Sequence, residues 1–139
     1  MKLHIIAYGK SPSRSPESEL VSRYLTRIPW PTQLTELADH HQIPPTPPNT
    51  PTIALDERGK PLTSQALATL LNNWRDQGTR ETRFLLGPAN GHTPETREQA
   101  DQVLSFGPAT WPHLLARAML AEQLYRVHTI LTNHPYHRE

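Results

Sequence analysis

Apolar positions recur along this chain at two spacings, and the alternation divides it into strands and helices. Leu3, Ile5, Ile6 and Ala7 form a short apolar run closed by Gly9, which predicts a first strand over Leu3–Tyr8. Leu20, Val21, Tyr24, Leu25 and Ile28 then share one face at helical spacing. Ser15 is a suitable N-cap, Pro16 fits the first helical position, and Glu17 and Glu19 favour the positive end of the dipole. Pro29 and Pro31 stop that helix, and Gln33–Ala38 reads as a second strand. The stretch His40–Pro51 holds prolines at 44, 45, 47, 48 and 51. It can be neither regular helix nor central strand, so an extended connection is expected.

Thr52–Leu55 predicts a strand, with Asp56-Glu57-Arg58-Gly59-Lys60 as the turn after it. Thr63 caps a helix that turns Leu67, Leu70, Leu71 and Trp74 to the core and ends at Gly78. Arg83–Leu86 is a buried strand, Gly87–His92 a glycine-containing loop, and Thr93-Pro94-Glu95 the start of another helix. Val103–Phe106 is a short strand, and Gly107–Thr110 a loop. Pro112 opens the longest helix, ending near Ile130, whose Leu120, Leu124 and Val127 offer an apolar seam for a second copy. Alternating strands and helices predict an α/β fold with a mainly parallel sheet and helices on both faces. Ligands of such sheets bind beyond the carboxyl ends of the strands, here Leu55-Asp56, Leu86-Gly87 and Phe106-Gly107. No repeat or second domain is visible, so residues 1–139 read as one domain.

Composition narrows the classes. A chain of 139 residues can bury a core without staples. The absence of cysteine excludes disulfides and cysteine-ligated zinc. No apolar run is long enough to span a bilayer. The N-terminus lacks the apolar region and cleavage site of a signal peptide, so residence in the cytoplasm is expected, with no membrane partner. A net charge of +1 argues against generic coating of nucleic acid. Of the 14 basic residues, only Lys2, Lys10 and Lys60 are lysine. Arginine's planar fork suits phosphates and bases, although a coding bias toward G and C is the simpler cause.

Candidate chemistry gathers late in the chain. Gly87-Pro88-Ala89-Asn90-Gly91 follows a strand and precedes a helix. It matches neither G-x-G-x-x-G nor a Walker A loop, and taken alone it reads better as a plain tight turn. His134-x-x-His137 has the spacing of a metal pair. Without cysteine or a convergent carboxylate cluster, no metal is expected. Trp111 can cover the core or line a site, and Glu122 and Arg126 can form an i,i+4 surface pair. The end of the chain, Asn133-His134-Pro135-Tyr136-His137-Arg138-Glu139, has little to offer a core. It offers two imidazoles, a phenol, a guanidinium and a terminal carboxylate. Such a tail is either a frayed end or part of a site.

Taken together these segments resemble the RlmH family of SPOUT methyltransferases. The matching blocks are Leu3 to Gly9, Ala54-Leu55-Asp56 with Gly59-Lys60, Leu85-Leu86-Gly87 with Gly91, Leu104-Ser105-Phe106, Thr110-Trp111-Pro112-His113, Ala121 to Arg126, and Asn133 to Glu139. The terminal Asn-His-Pro-Tyr-His-Arg-Glu is the most specific. The resemblance implies a trefoil-knotted homodimer that methylates N3 of a pseudouridine in 23S ribosomal RNA, with the ribosome as partner. It also implies S-adenosyl-L-methionine as cofactor, held among Leu55, Gly87 and the loop Phe106, Gly107, Pro108, Ala109, Thr110 and Trp111. Where the family usually carries two glycines this chain has Gly87-Pro88, which removes one backbone donor. Its Gly107-Pro108-Ala109 is smaller than the usual loop, and its proline-rich segment is shorter.

The chemistry needs no metal. The sulfonium methyl is already electrophilic, so the protein has to supply a pocket, in-line geometry and help for the nucleophile. That nucleophile is an imide nitrogen that must lose a proton, and nearby cations favour its anion. His113, His137, Arg117, Arg126 and Arg138 are the candidates, with a histidine as proton acceptor. Tyr136 could stack on a base. Arg117 and Arg126 stand on roughly opposite sides of one helix. Three other readings use the same residues: a methyltransferase with another RNA site, a non-catalytic RNA-binding dimer, and a small hydrolase or phosphotransferase. The absence of a Gly-x-Ser-x-Gly elbow, a Walker loop and a cysteine nucleophile counts against the last.

Overall fold

The computed structural model of the protein describes residues 1–38, 41–88 and 90–138. In chain order the elements are β1 (Lys2–Tyr8), α1 (Pro16–Thr26), β2 (Thr32–Leu37), β3 (Thr52–Pro61), α2 (Ser64–Asp76), β4 (Glu81–Leu86), α3 (Pro94–Gln99), β5 (Gln102–Ser105) and α4 (His113–Leu131). The expected caps form. Ser15 Oγ accepts from the N–H of Ser18, Thr63 Oγ1 from Ala66, and Thr93 Oγ1 from Thr96.

The strands make one five-stranded sheet in the order β2-β1-β4-β3-β5, and every pairing is parallel. This order decides where the connections lie. The steps β1 to β2 and β3 to β4 run one way along the sheet, and β2 to β3 and β4 to β5 run the other. Right-handed crossovers therefore put α1 and α2 on one face, and the proline-rich segment and α3 on the opposite face. Side-chain contacts agree. Leu3, Ile5, Ile53, Leu55, Phe84 and Leu86 point to the first face and pack with Leu67 and Leu71 of α2 and with α4. On the second face Arg83 Nη1 donates to the Pro44 carbonyl at 3.0 Å and to Thr46 Oγ1 at 3.1 Å. Also on this face, Arg97 of α3 approaches Asp56 at 3.9 Å.

Two expectations need correction. Asp56–Lys60 is not a turn, because β3 continues to Pro61 and pairs again with β5 after a bulge between Leu55 and Lys60. Gly59 permits this, since a Cβ there would stand 2.6 Å from the Val103 backbone. The seam Leu120, Leu124 and Val127 is not available to a second copy. All three side chains are buried in the chain's own core, because α4 returns to the first face and packs against both α1 and α2. Among the described residues of the 40–51 stretch the backbone is irregular, as the prolines require. His40 lies outside the described residues.

Candidate active site

The carboxyl ends of β4 and β5 and the Leu55–Asp56 bulge of β3 converge beside the loop that joins β5 to α4. They enclose a cavity of about 570 Å³, well within the range of small-molecule sites. Leu55 and Leu86 give it an apolar floor, with Gly87 beside them. Phe106, Gly107, Ala109, Thr110 and Trp111 form one wall, and His113 closes the end. All of these except Leu86 are residues expected at the site. Pro108 is exposed and is not among the lining residues. Ala89 falls outside the described residues. Trp111 is 42% exposed, so it lines the cavity and does not cover the core.

The cavity is held open by buried polar groups that sequence reasoning did not single out. The Asp56 carboxylate accepts from the N–H of Arg58 at 2.9 Å and from the N–H of His92 at 3.0 Å. It thus staples the middle of β3 to the 87–92 loop. Burial pushes its pKa up. These two donors, with the nearby Arg97 guanidinium, outweigh that, and the carboxyl lies below its ordinary value. His92 is buried, and its Nε2 donates to the Leu85 carbonyl at 3.0 Å. Burial pulls its pKa down and keeps it neutral, against the opposing effects of the Leu85 bond and Asp56. Its ring lies so close to Gly87 that an added Cβ would meet it at 3.0 Å. Gly87 is thus a packing requirement. Leu55-Asp56 was expected beside a ligand, but nothing in the sequence signals that the Asp56 carboxylate is buried against the 87–92 loop. Ser105 Oγ both accepts from the N–H of Gly107 and donates to its carbonyl, each at 2.9 Å, and so fixes the start of the wall loop.

The tail makes a second cluster. Asn133 takes φ +55° at the end of α4, and the N–H groups of Asn133 and His134 return to the carbonyls of Ile130 and Thr129. This is a Schellman ending, with Pro135 just beyond it. It folds the tail back onto α4. There Arg126 donates twice to Glu122 Oε1, at 2.9 and 2.5 Å, and the Tyr136 hydroxyl donates to the same oxygen at 2.9 Å. The Glu122 bond is the main reason the Arg126 pKa is raised. Tyr136 packs edge-on against Tyr125 at 4.8 Å and lies under the Arg126 guanidinium at 4.9 Å. The tail therefore does contribute to packing, through Tyr136. Burial, then Tyr24 and Glu122, hold the phenol well above its ordinary pKa. It is a donor here, not a base.

The remaining candidates separate. His137 Nδ1 is 3.2 Å from Arg126 Nη1. A guanidinium only donates, so this nitrogen accepts and its lone pair is engaged. Arg138 is exposed and makes no ion pair with a described residue. Glu139, with the terminal carboxylate, lies outside the described residues. Arg117 is buried. It pairs with Glu36 at 2.5 Å and donates to the carbonyls of Tyr8 and Gly9 at 3.2 and 3.1 Å. Burial pushes the Glu36 pKa up, but the Ser11 N–H and Arg117 outweigh it. Arg117 ties α4 to the ends of β1 and β2, facing away from Arg126. His113 and Arg126 are 13 residues apart on α4, about 20 Å at the helical rise, so the cavity and the tail cluster occupy opposite ends of one helix. Among the described residues no group of three or more His, Asp or Glu could hold a metal, and no helix is long and apolar enough to cross a membrane.

The sequence model of the family described as Predicted SPOUT methyltransferase matches residues 1–137. The chain belongs to the SPOUT methyltransferase family. A relative from Novosphingobium aromaticivorans named "Ribosomal RNA large subunit methyltransferase H" is 58% identical, over 100% of this chain and 99% of its own length. A relative of the same name from Erythrobacter litoralis is 61% identical, over 99% of each chain. Among solved structures, a probable methylase family protein from Haemophilus influenzae superposes with a TM-score of 0.59 at 10% identity, covering 94% of this chain and 66% of that one. A probable methyltransferase from Bordetella pertussis superposes with a TM-score of 0.56 at 13% identity, covering 90% of this chain and 95% of that one. At such identities the superpositions bear on the SPOUT fold alone.

Proposed function

We propose that this protein methylates N3 of a pseudouridine in 23S ribosomal RNA in the cytoplasm, using S-adenosyl-L-methionine. One observation carries the reading. In a chain of this family, the β3 bulge at Leu55–Asp56, the carboxyl end of β4 and the Phe106–Trp111 loop enclose a cavity of about 570 Å³. The relatives' shared name supports ribosomal RNA of the large subunit as substrate, and the Asn133–Glu139 tail supports the pseudouridine.

The residues fit an adenosyl ligand. Leu55, Leu86, Phe106 and Trp111 supply apolar and aromatic surface for a purine, and the exposed backbone of the 106–111 loop supplies edge contacts. Position 88 is proline, so no N–H bond is expected there. When bound, the cofactor supplies the electrophilic methyl carbon. The protein's part is to orient the imide nitrogen and take its proton. His113 stands at the cavity end, and its ring makes no hydrogen bond to a described residue. It is therefore placed to accept that proton, whereas the His137 lone pair is engaged by Arg126. Arg126 and Arg138 supply positive charge for phosphates.

The whole chain acts as one SPOUT domain and as a homodimer. A tail cluster about 20 Å from the cavity along α4 cannot serve that cavity in one copy, but a second copy can bring its tail there. The path of α4 back between α1 and α2 supports the trefoil knot. Titration calorimetry tests the cofactor. Heat of binding with S-adenosylmethionine or its demethylated product is expected, and no heat with either would remove the assignment. Light scattering at micromolar protein should give a dimer, and monomer alone would contradict the second copy's role.

A further inference from the structure

A second cavity, of about 670 Å³, lies against the first. It runs from the end of β1, at Tyr8 and Gly9, to Ile43 of the proline-rich segment and Thr96 of α3. Gly87, Pro88, Asn90, Gly91 and His113 line both cavities. The two cavities therefore adjoin along these residues. Transfer between two bound molecules needs the reacting atoms roughly 3–3.5 Å apart, so the methyl donor and its acceptor would have to meet at this shared border, with no chain atom between them.

The lining says what the second pocket takes. Among the described residues that line it there is no lysine, arginine, aspartate or glutamate, and burial lowers the pKa of His92. A phosphate would find no counter-charge among them, whereas a neutral heterocycle needs none. Ile43 is apolar. The Tyr8 hydroxyl donates to the His41 carbonyl at 3.0 Å, which fixes its ring at the rim. The Asn90 amide makes no hydrogen bond to a described residue, and it offers both a donor and an acceptor. That pair complements a ring carbonyl and the neighbouring N1–H of a pseudouridine, which leaves N3 free to react.

We propose that this second cavity receives the target nucleotide, a uracil-type base with its ribose, extruded from the RNA. The base then meets the methyl donor at the shared border beside Gly87, Gly91 and His113. This rests on the methyltransferase reading above and adds to it the place of the base.

The test uses full-length Ile43→Trp, which fills the pocket from an irregular surface segment, together with Asn90→Ala and Asn90→Gln. Cofactor affinity is measured by calorimetry and methylation by steady-state kinetics on ribosomes. Ile43→Trp should lower kcat/KM for ribosomes about tenfold or more, with cofactor affinity within about twofold of the unaltered protein. Asn90→Ala, at a position that lines both cavities, should lower kcat/KM by a similar factor with a smaller loss of cofactor affinity. Asn90→Gln, which keeps the amide, should recover part of the loss. Unchanged kinetics in both Ile43→Trp and Asn90→Ala would overturn the proposal. So would an equal loss of cofactor affinity, which would make this space part of the cofactor site. If Ile43→Trp fails to fold, the Asn90 pair on its exposed turn decides the matter. Failure of the unaltered protein to bind cofactor or methylate ribosomes would instead remove the underlying methyltransferase reading.

Discussion

Gly59→Ala should damage both the fold and the cofactor site, although position 59 touches neither the core nor the cavity. The added Cβ would stand 2.6 Å from the Val103 carbonyl carbon and oxygen and 2.7 Å from the Leu104 nitrogen. These are backbone atoms and cannot rotate away. They must retreat by roughly 0.8 Å to reach ordinary contact. The retreat strains the register Lys60↔Leu104 and Pro61↔Ser105 and the bond from the Leu62 N–H to the Ser105 carbonyl at 2.8 Å. Overpacking of this kind costs about 1–3 kcal/mol, which for a chain of this size is a fall in Tm of roughly 5–10 °C. Because Ser105 fixes the start of the Phe106–Trp111 loop, cofactor affinity should fall about tenfold. Gly78→Ala is the control. It is strained by φ +90° but meets nothing within 4 Å, so it should cost about 1–2 kcal/mol and leave cofactor affinity alone. Thermal unfolding and calorimetric titration of both variants give the answer. A Gly59→Ala protein with unaltered Tm and affinity would refute the continuous β3 and its link to the loop.

Truncation after Asn133 removes the Tyr136 packing and should lower Tm by only a few degrees. It should abolish methylation of ribosomes and leave most cofactor affinity intact, so full methylation by the truncated protein would take the tail out of the mechanism. His113→Ala should lower turnover on the order of a hundredfold or more with a smaller effect on cofactor affinity, and His137→Ala should follow the same pattern more weakly. Arg138→Ala should weaken RNA binding and reduce the salt slope by about one unit, read from binding isotherms at several salt concentrations. Burial lowers the pKa of His92 below its ordinary 6.5, so the unfolded chain binds this proton more tightly. Its contribution to stability is complete above about pH 6.5 and is lost as the pH falls through that value. His4 and His128, lowered chiefly by burial, act in the same direction. Asp56 adds its loss only below its ordinary 3.8. Tm should therefore fall between pH 7.5 and 5.5, and a rise would contradict the buried neutral histidines.

Much of the architecture was legible because local signals agreed with the tertiary outcome. Ser15, Thr63 and Thr93 cap where expected, and the prolines at 44–51 keep their segment irregular. Asp56–Lys60 misled because a glycine in a charged stretch has the chemistry of a turn, whereas here it permits close approach of two backbones. That property depends on a strand distant in sequence. The seam on α4 misled for a related reason. A helix with apolar residues on several sides does not reveal which side meets its own sheet, and α4 lies between α1 and α2. The cavity wall Phe106–Trp111 could be named from the family resemblance, but the Asp56 and His92 staple could not. The separate fates of Arg117 and Arg126 were visible only as a half-turn of phase. What decided them was Glu36 at one end and Glu122 at the other.

The central claim is that this chain methylates a pseudouridine of 23S ribosomal RNA, and mass mapping of that RNA from cells lacking the protein tests it most directly. The account predicts that one pseudouridine-containing fragment is lighter by a single methyl group, and that the unaltered protein with S-adenosylmethionine restores the mass on isolated ribosomes. Ribosomal RNA of identical mass at every fragment, with and without the protein, would contradict it.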